Sequence, residues 1–217
     1  MSGAWQSAIA CTLIAGWTAH RAQAQAEPTW LPVVVHTAQV AGQPVAPPEF
    51  IAERIARANQ IFAPYGVGFV ARESRALAEA HARLETRADR DALGAEVAEV
   101  ARGAIHCFVV ASLRDVDEPE RMRRGVHWRS RTQKGAHFVI VSVISGLDVL
   151  AHELGHFLGN PEHSDTPGNL MSYQREEALP FLDAAQIGKL QRALRGYLRR
   201  GELHALHAAD TRSRSTP

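Results

Sequence analysis

The stretch His152-Glu153-Leu154-Gly155-His156-Phe157-Leu158-Gly159, followed by Asn160-Pro161-Glu162-His163, decides how this chain is read. It has the pattern H-E-x-x-H-x-x-G with a further histidine close behind. Residues four apart lie on one face of a helix, so His152 and His156 can direct their rings at one ion. Glu153, next to the first of them, is placed to reach a water on that ion. Two imidazoles for a divalent cation and a carboxylate for the water's proton are the parts of a metal-assisted hydrolase, with one zinc as the expected ion.

The pentapeptide alone is short, and the chain holds 11 histidines, so a plain pair of histidines on a partly exposed helix is the simpler alternative. Three neighbours argue against it. Gly159 falls where the helix must stop and the chain turn back, and glycine tolerates the left-handed conformation of such a stop. Pro161 keeps the helix from resuming. His163 follows the turn, where a third ligand is needed. The helix has Val149, Leu150, Leu154, Phe157 and Leu158 as its apolar positions. Ser145 with Asp148 three residues on predicts a capping box at its start.

Extended downstream, the stretch resembles the metzincin clan of zinc metallopeptidases, whose pattern is H-E-x-x-H-x-x-G-x-x-H followed by a Met-containing turn. His152, Glu153, His156 and Gly159 match position by position. Asn169-Leu170-Met171-Ser172-Tyr173 looks like the Met-turn, which implies that Met171 lies beneath the metal. The Met-Ser-Tyr order is similar to that of serralysins. There, and in astacins, a tyrosine two residues past the methionine sits beside the zinc and helps stabilise the transition state; Tyr173 is the matching residue. Without the upstream motif, Met171 and Tyr173 would be read as ordinary core residues. One departure stands out. Three residues separate Gly159 from His163 where the clan has two, and Glu162 occupies the clan's histidine slot. Either the loop bulges and delivers His163, or Glu162 ligates as a carboxylate; zinc accepts both donor types. His163 is favoured, because a segment outside the helix absorbs an insertion easily.

The resemblance implies an α+β fold: a mixed twisted sheet with helices on one side, a zinc helix flooring a cleft, and a small C-terminal lobe with the Met-turn and a closing helix. It further implies hydrolysis of peptide bonds in peptide or protein substrates, with Glu153 as general base. Asn160 or Asp165 is a candidate to orient a ligand histidine. A structural or decayed zinc site is the competing reading, and it would be closed if Glu162 and His163 ligated together. A zinc hydrolase of non-peptide amides or esters is another, because the motif supplies the water and not the substrate.

The rest of the chain sets bounds. Its 217 residues suffice for one domain with a sizeable core, or two small lobes around a cleft. Lys and Arg number 24 and Asp and Glu 23, so no basic field argues for nucleic acid and no acidic tract for disorder. Residues 8–19 form an apolar stretch too short and interrupted to span a bilayer, with small-residue sites at Ala22-Gln23-Ala24 and Ala24-Gln25-Ala26. Residues 1–26 therefore read as an export signal, although Met1 to Ser7 carries no Lys or Arg. That places the protein outside the cytoplasm, secreted or periplasmic, with no stable membrane insertion afterwards. Residues 27–217 read as one domain, with an upper lobe over 27–159 and a lower lobe over 160–217. Of the two cysteines, Cys11 falls in the signal and Cys107 in an apolar run, where it is a small buried hydrophobe.

Periodicity places the remaining elements. Strands are predicted at 31–40, 67–70, 105–110 and 138–143, the last two central because they are continuous apolar runs. A helix is predicted at 50–62, two helical pieces broken at Gly94 over 77–102, and an amphipathic closing helix at 183–199. Gly125-Val126-His127-Trp128, inside an arginine-rich segment, is a candidate edge strand. Metzincins use such a strand to align an extended substrate by backbone hydrogen bonds, which would put it on the cleft's upper rim.

Overall fold

The computed structural model describes residues 27–98 and 103–206. Residues 1–26, read above as an export signal and containing Cys11, and His207 lie outside them. The strands are β1 (Thr29–Val40), β2 (Gln43–Pro44), β3 (Val67–Leu77), β4 (Arg83–Leu84), β5 (Ile105–Val110), β6 (Ser112–Leu113), β7 (Gly125–Arg129) and β8 (His137–Ser142). The helices are α1 (Pro48–Phe62), α2 (Arg87–Ala98), α3 (Val149–Phe157) and α4 (Ala184–Arg200). The class is α+β with a mixed sheet.

The main sheet runs β3, β1, β5, β8, β7, and β2 turns back on the end of β1. β3, β1, β5 and β8 are parallel, and β7 is antiparallel to β8 at the edge. β5 lies in the interior of the sheet and every one of its residues is buried, as a continuous apolar run requires. On one face, Val33, Val35, Cys107, Val109, Val139 and Val141 meet α1, α3 and α4. The opposite face carries a second, smaller core in which Leu93 of α2 joins Phe108, Val110, Trp128 and Phe138. Trp128 is tied there, donating its indole N–H to Asp91 at 2.8 Å beneath the Arg90 guanidinium. The candidate edge strand thus exists, with Trp128 as its anchor.

Three local expectations are corrected. Strand β3 continues well past Val70, because its exposed residues 73–76 pair along β1 at the sheet's edge, beyond a bulge at Arg72, without an apolar alternation to announce them. Of the helix expected over 77–102, residues 77–86 instead hold the end of β3, a 3-10 turn and β4, while α2 starts at Arg87 and runs unbroken through Gly94. A Cβ at that position would come within 2.9 Å of Ser130 Oγ, so the glycine admits a passing loop rather than breaking the helix. The capping box at Ser145 is not formed: α3 begins after Asp148, which makes no side-chain cap bond. Both residues serve α1 instead. Buried Arg54 donates to Ser145 Oγ at 3.2 Å and to its carbonyl at 2.5 Å, and Arg57 pairs with Asp148 at 2.6 Å. A capping box does form on α4, between Asp183 and Gln186.

Behind the sheet, His36 and His106 form a buried pair, ring nitrogen to ring nitrogen at 3.0 Å, with His36 stacked on Phe108. Burial, then the neighbouring charges, pushes His36 down to about 3 and His106 down to about 4. Both rings are neutral in the folded state, whereas in the unfolded chain they take up protons near pH 6.5. Their contribution is therefore intact above pH 6.5 and is lost as pH falls from there toward 4. For the chelator-treated protein, urea melts at pH 7.5 and pH 4.5 should differ by on the order of a few kcal/mol. A His36→Leu/His106→Phe double variant should shrink that difference.

Candidate metal centre

α3 carries the motif and is almost wholly buried. Leu150, Leu154 and Phe157 face the sheet, each contributing about 2 kcal/mol by burial. That burial brings His152 and Glu153 out of water with them, so their polar atoms need partners. His152 donates Nδ1–H to the Leu170 carbonyl at 2.7 Å, and His156 donates Nδ1–H to the Asn160 carbonyl at 2.7 Å. With Nδ1 protonated on both rings, each Nε2 keeps its lone pair. The two Nε2 atoms are 3.2 Å apart, and His163 Nε2 is 3.2 Å from that of His156. Ligand atoms of the three histidines all lie within 4.8 Å of one another, an arrangement that suits a metal ion.

The chain reaches that geometry by a bend of defined form. Gly159 has φ of +94°, and the Asn160 N–H returns to the Gly155 carbonyl at 3.1 Å. Beyond His163, the Ser164 N–H donates to the Met171 carbonyl at 3.0 Å, which fastens the loop to the turn below. Asn160 acts through its main chain, not its side chain. Exposed Asp165 has no hydrogen bond to a histidine among the described residues. Glu162 points away and pairs with Lys189 at 2.5 Å.

Burial, with neighbouring positive charge, holds all three histidines below the usual imidazole range, His152 at about 3. They are neutral at pH 7, the form in which imidazole binds a metal. Glu153 is pushed up to about 8 by burial, against the pull of the His127 backbone N–H and of Arg123 and Arg175. Three neutral imidazoles beside a buried carboxyl group fit a divalent cation.

Met171 is fully buried beneath α3. A Cβ on Gly155 would meet its sulfur at 2.5 Å, so helix and turn touch where residue 155 has no side chain. Asn169 Oδ1 accepts the Met171 N–H at 2.9 Å, while its amide exchanges two hydrogen bonds with Gln186 of α4. Tyr173 is 64% exposed, its ring 4.3 Å from that of His163, with its hydroxyl bonded to Arg123. Gly125 of β7 lies on Glu153, where a Cβ would be 3.0 Å from Cγ and 3.1 Å from Oε1. Gly125, Gly155, Asn169 and Gln186 were not marked by the motif. The Asp183-x-x-Gln186 spacing was a readable signal for the last; the others have none in a single sequence.

No protein-family model matches the chain, and no curated protein does. Solved structures do. Metalloproteinase-II from Bacteroides fragilis aligns with 76% of this chain at 15% identity and a TM-score of 0.53. Mirolysin in complex with compound 9 aligns with 82% at 11% identity and a TM-score of 0.55. Mature mirolysin of Tannerella forsythia, in complex with a cleaved peptide, aligns with 82% at 13% identity and a TM-score of 0.52. This chain has a metalloproteinase fold. The likeness lies in the α+β fold over about four-fifths of the chain. Both mirolysin chains are covered over 100% of their length, but the chain spans only about half, 53%, of the Bacteroides fragilis protein.

Gly155→Ala should force Met171 aside and cost about 1–3 kcal/mol by overpacking. Urea melts should show that loss, and a chromophoric chelator should strip added metal from the variant more readily than from the parent. Gly146→Ala, with nothing within 4 Å of the new methyl, is the matched control and should leave metal retention unchanged.

Proposed function

We propose that this chain is a zinc-dependent endopeptidase acting on peptide or protein substrates. The observation that carries the reading is the convergence of three imidazole Nε2 atoms beside Glu153, a buried carboxyl group on the helix that carries two of them. His152, His156 and His163 would hold the ion, with His163 rather than Glu162 as third ligand. Glu162 is spent on Lys189, which also argues against a closed four-ligand structural site. When bound, zinc supplies a water of lowered pKa and a Lewis acid for the scissile carbonyl.

The remaining work falls to the chain. Glu153 takes the proton from the attacking water and passes it to the leaving amine. Its carboxylate is kept in place by the His127 N–H and by Gly125 above it. Tyr173, its ring tilted against that of His163, donates its hydroxyl to the oxyanion that develops on the carbonyl. β7 has no further strand beyond it among the described residues, so its outer edge can receive an extended peptide as an added strand. Mirolysin's structure with a cleaved peptide supports the choice of substrate class. We assign 27–159 and 160–217 as the two lobes of the cleft, and 1–26 as an export signal to the periplasm or the medium. Among the described residues no helix is long and apolar enough to cross a membrane.

Glu153→Ala should retain about one zinc per chain and lose roughly 10²–10⁴-fold in cleavage of a casein or peptide-library substrate. Metal analysis and a chelator-sensitive assay on the same preparation check both halves. Undiminished cleavage by that variant would remove Glu153 as the base. His163→Ala should lose zinc, whereas Glu162→Gln should keep both zinc and activity; the reverse pattern would make Glu162 the third ligand.

A further inference from the structure

Resting on the peptidase reading above, we propose that Arg175 selects peptides carrying an aspartate or glutamate beside the scissile bond. Arg175 leaves the turn four residues after Met171 and reaches back along it. Its Nη1 donates to the Leu170 carbonyl at 3.2 Å, the same oxygen that accepts His152 Nδ1–H. Its Nη2 lies 3.5 Å from His152 Nδ1. That nitrogen is already a donor, so the second contact is a close approach and not a hydrogen bond. The guanidinium thus stands one ring-width behind the Nε2 that faces the centre, with most of its N–H groups uncommitted.

Its surroundings lack the charge it needs. Arg57, Arg87, Arg114, Arg121, Arg123 and Arg200 each pair with a carboxylate. Among the described residues no carboxylate lies within 4.0 Å of Arg175, although its contacts are partly buried. The acids whose charge reaches it are Asp148, spent on Arg57, and Glu153, the candidate base. Arg123 approaches the centre as well, since its charge acts on both Glu153 and His163. Asp115 neutralises Arg123 at 2.6 Å, however, and its remaining reach goes to Tyr173. Among the described residues Arg175 is therefore a cation without a carboxylate partner, set against His152. A planar fork of donors matches a carboxylate, and a peptide side chain lying along the turn would supply one.

The test uses three peptides identical except for Glu, Gln or Lys at the residue beside the scissile bond, scanned on either side of it. Binding is read by fluorescence anisotropy on the zinc-loaded Glu153→Gln chain, and cleavage is read on the zinc-loaded parent. The Glu peptide should bind about threefold tighter than the Gln peptide on one side of the bond, with Lys weakest, as one solvent-exposed ion pair would give. That ratio should fall to about one when Arg175→Gln is added and should invert toward Lys with Arg175→Glu. A purely structural Arg175 would weaken all three peptides alike and leave the ratio standing. Equal binding of Glu and Gln peptides to the chain with Arg175 intact, or a Glu preference that survives both substitutions, overturns the proposal. If the Glu preference depends on Arg175 but the parent cleaves none of the peptides, the selectivity holds and the peptidase reading falls.

Discussion

A buried imidazole cannot leave its Nδ1–H unsatisfied, and in this protein only main-chain carbonyls from outside α3 meet that demand. Leu170 serves His152 and Asn160 serves His156. The centre therefore exists only where the bend after Gly159 and the turn at Met171 both fold back against the helix. Each bond does two things at once. It discharges the cost of burying a polar ring, and it turns the opposite nitrogen, with its lone pair, toward the common point.

The rest of the molecule holds those carbonyls and that helix in register. From the sheet side, Arg54 and Arg57 of α1 grip Ser145 and Asp148, the residues that lead into α3. From below, Asn169 links the Met171 turn to Gln186 of α4, and Tyr197 of the same helix donates to the Phe157 carbonyl at 3.0 Å. Three glycines permit close approaches that any side chain would block. Gly125 admits Glu153, Gly155 admits Met171, and Gly159 takes the left-handed turn.

Much of this architecture was legible in the sequence. The continuous apolar runs at β5 and β8, the helical spacing of α1 and α4, and the bend at Gly159 all fall where their patterns put them. The misreadings share a cause. Exposed strand residues after Val70 carry no alternation, because an edge strand need not bury both faces. Gly94 is written like a helix breaker, yet its role is set by a loop about forty residues away that passes over it. Ser145 and Asp148 spell a capping box, but a buried arginine from another helix offers Ser145 stronger partners. Local chemistry proposes; a distant buried guanidinium overrides it.

By itself, the sequence determined the helix, its two histidines a turn apart, the carboxylate beside the first, and the stop that follows. All of these depend on spacing along one short segment, and helical geometry converts spacing into direction. Tertiary structure alone decided that His163 joins the pair while Glu162 turns to Lys189, that Met171 fits under Gly155, and that Arg175 comes to rest against His152 without an acid of its own. Those outcomes depend on which surfaces meet across long stretches of chain, where packing and the pairing of buried polar atoms, rather than sequence distance, select the neighbours.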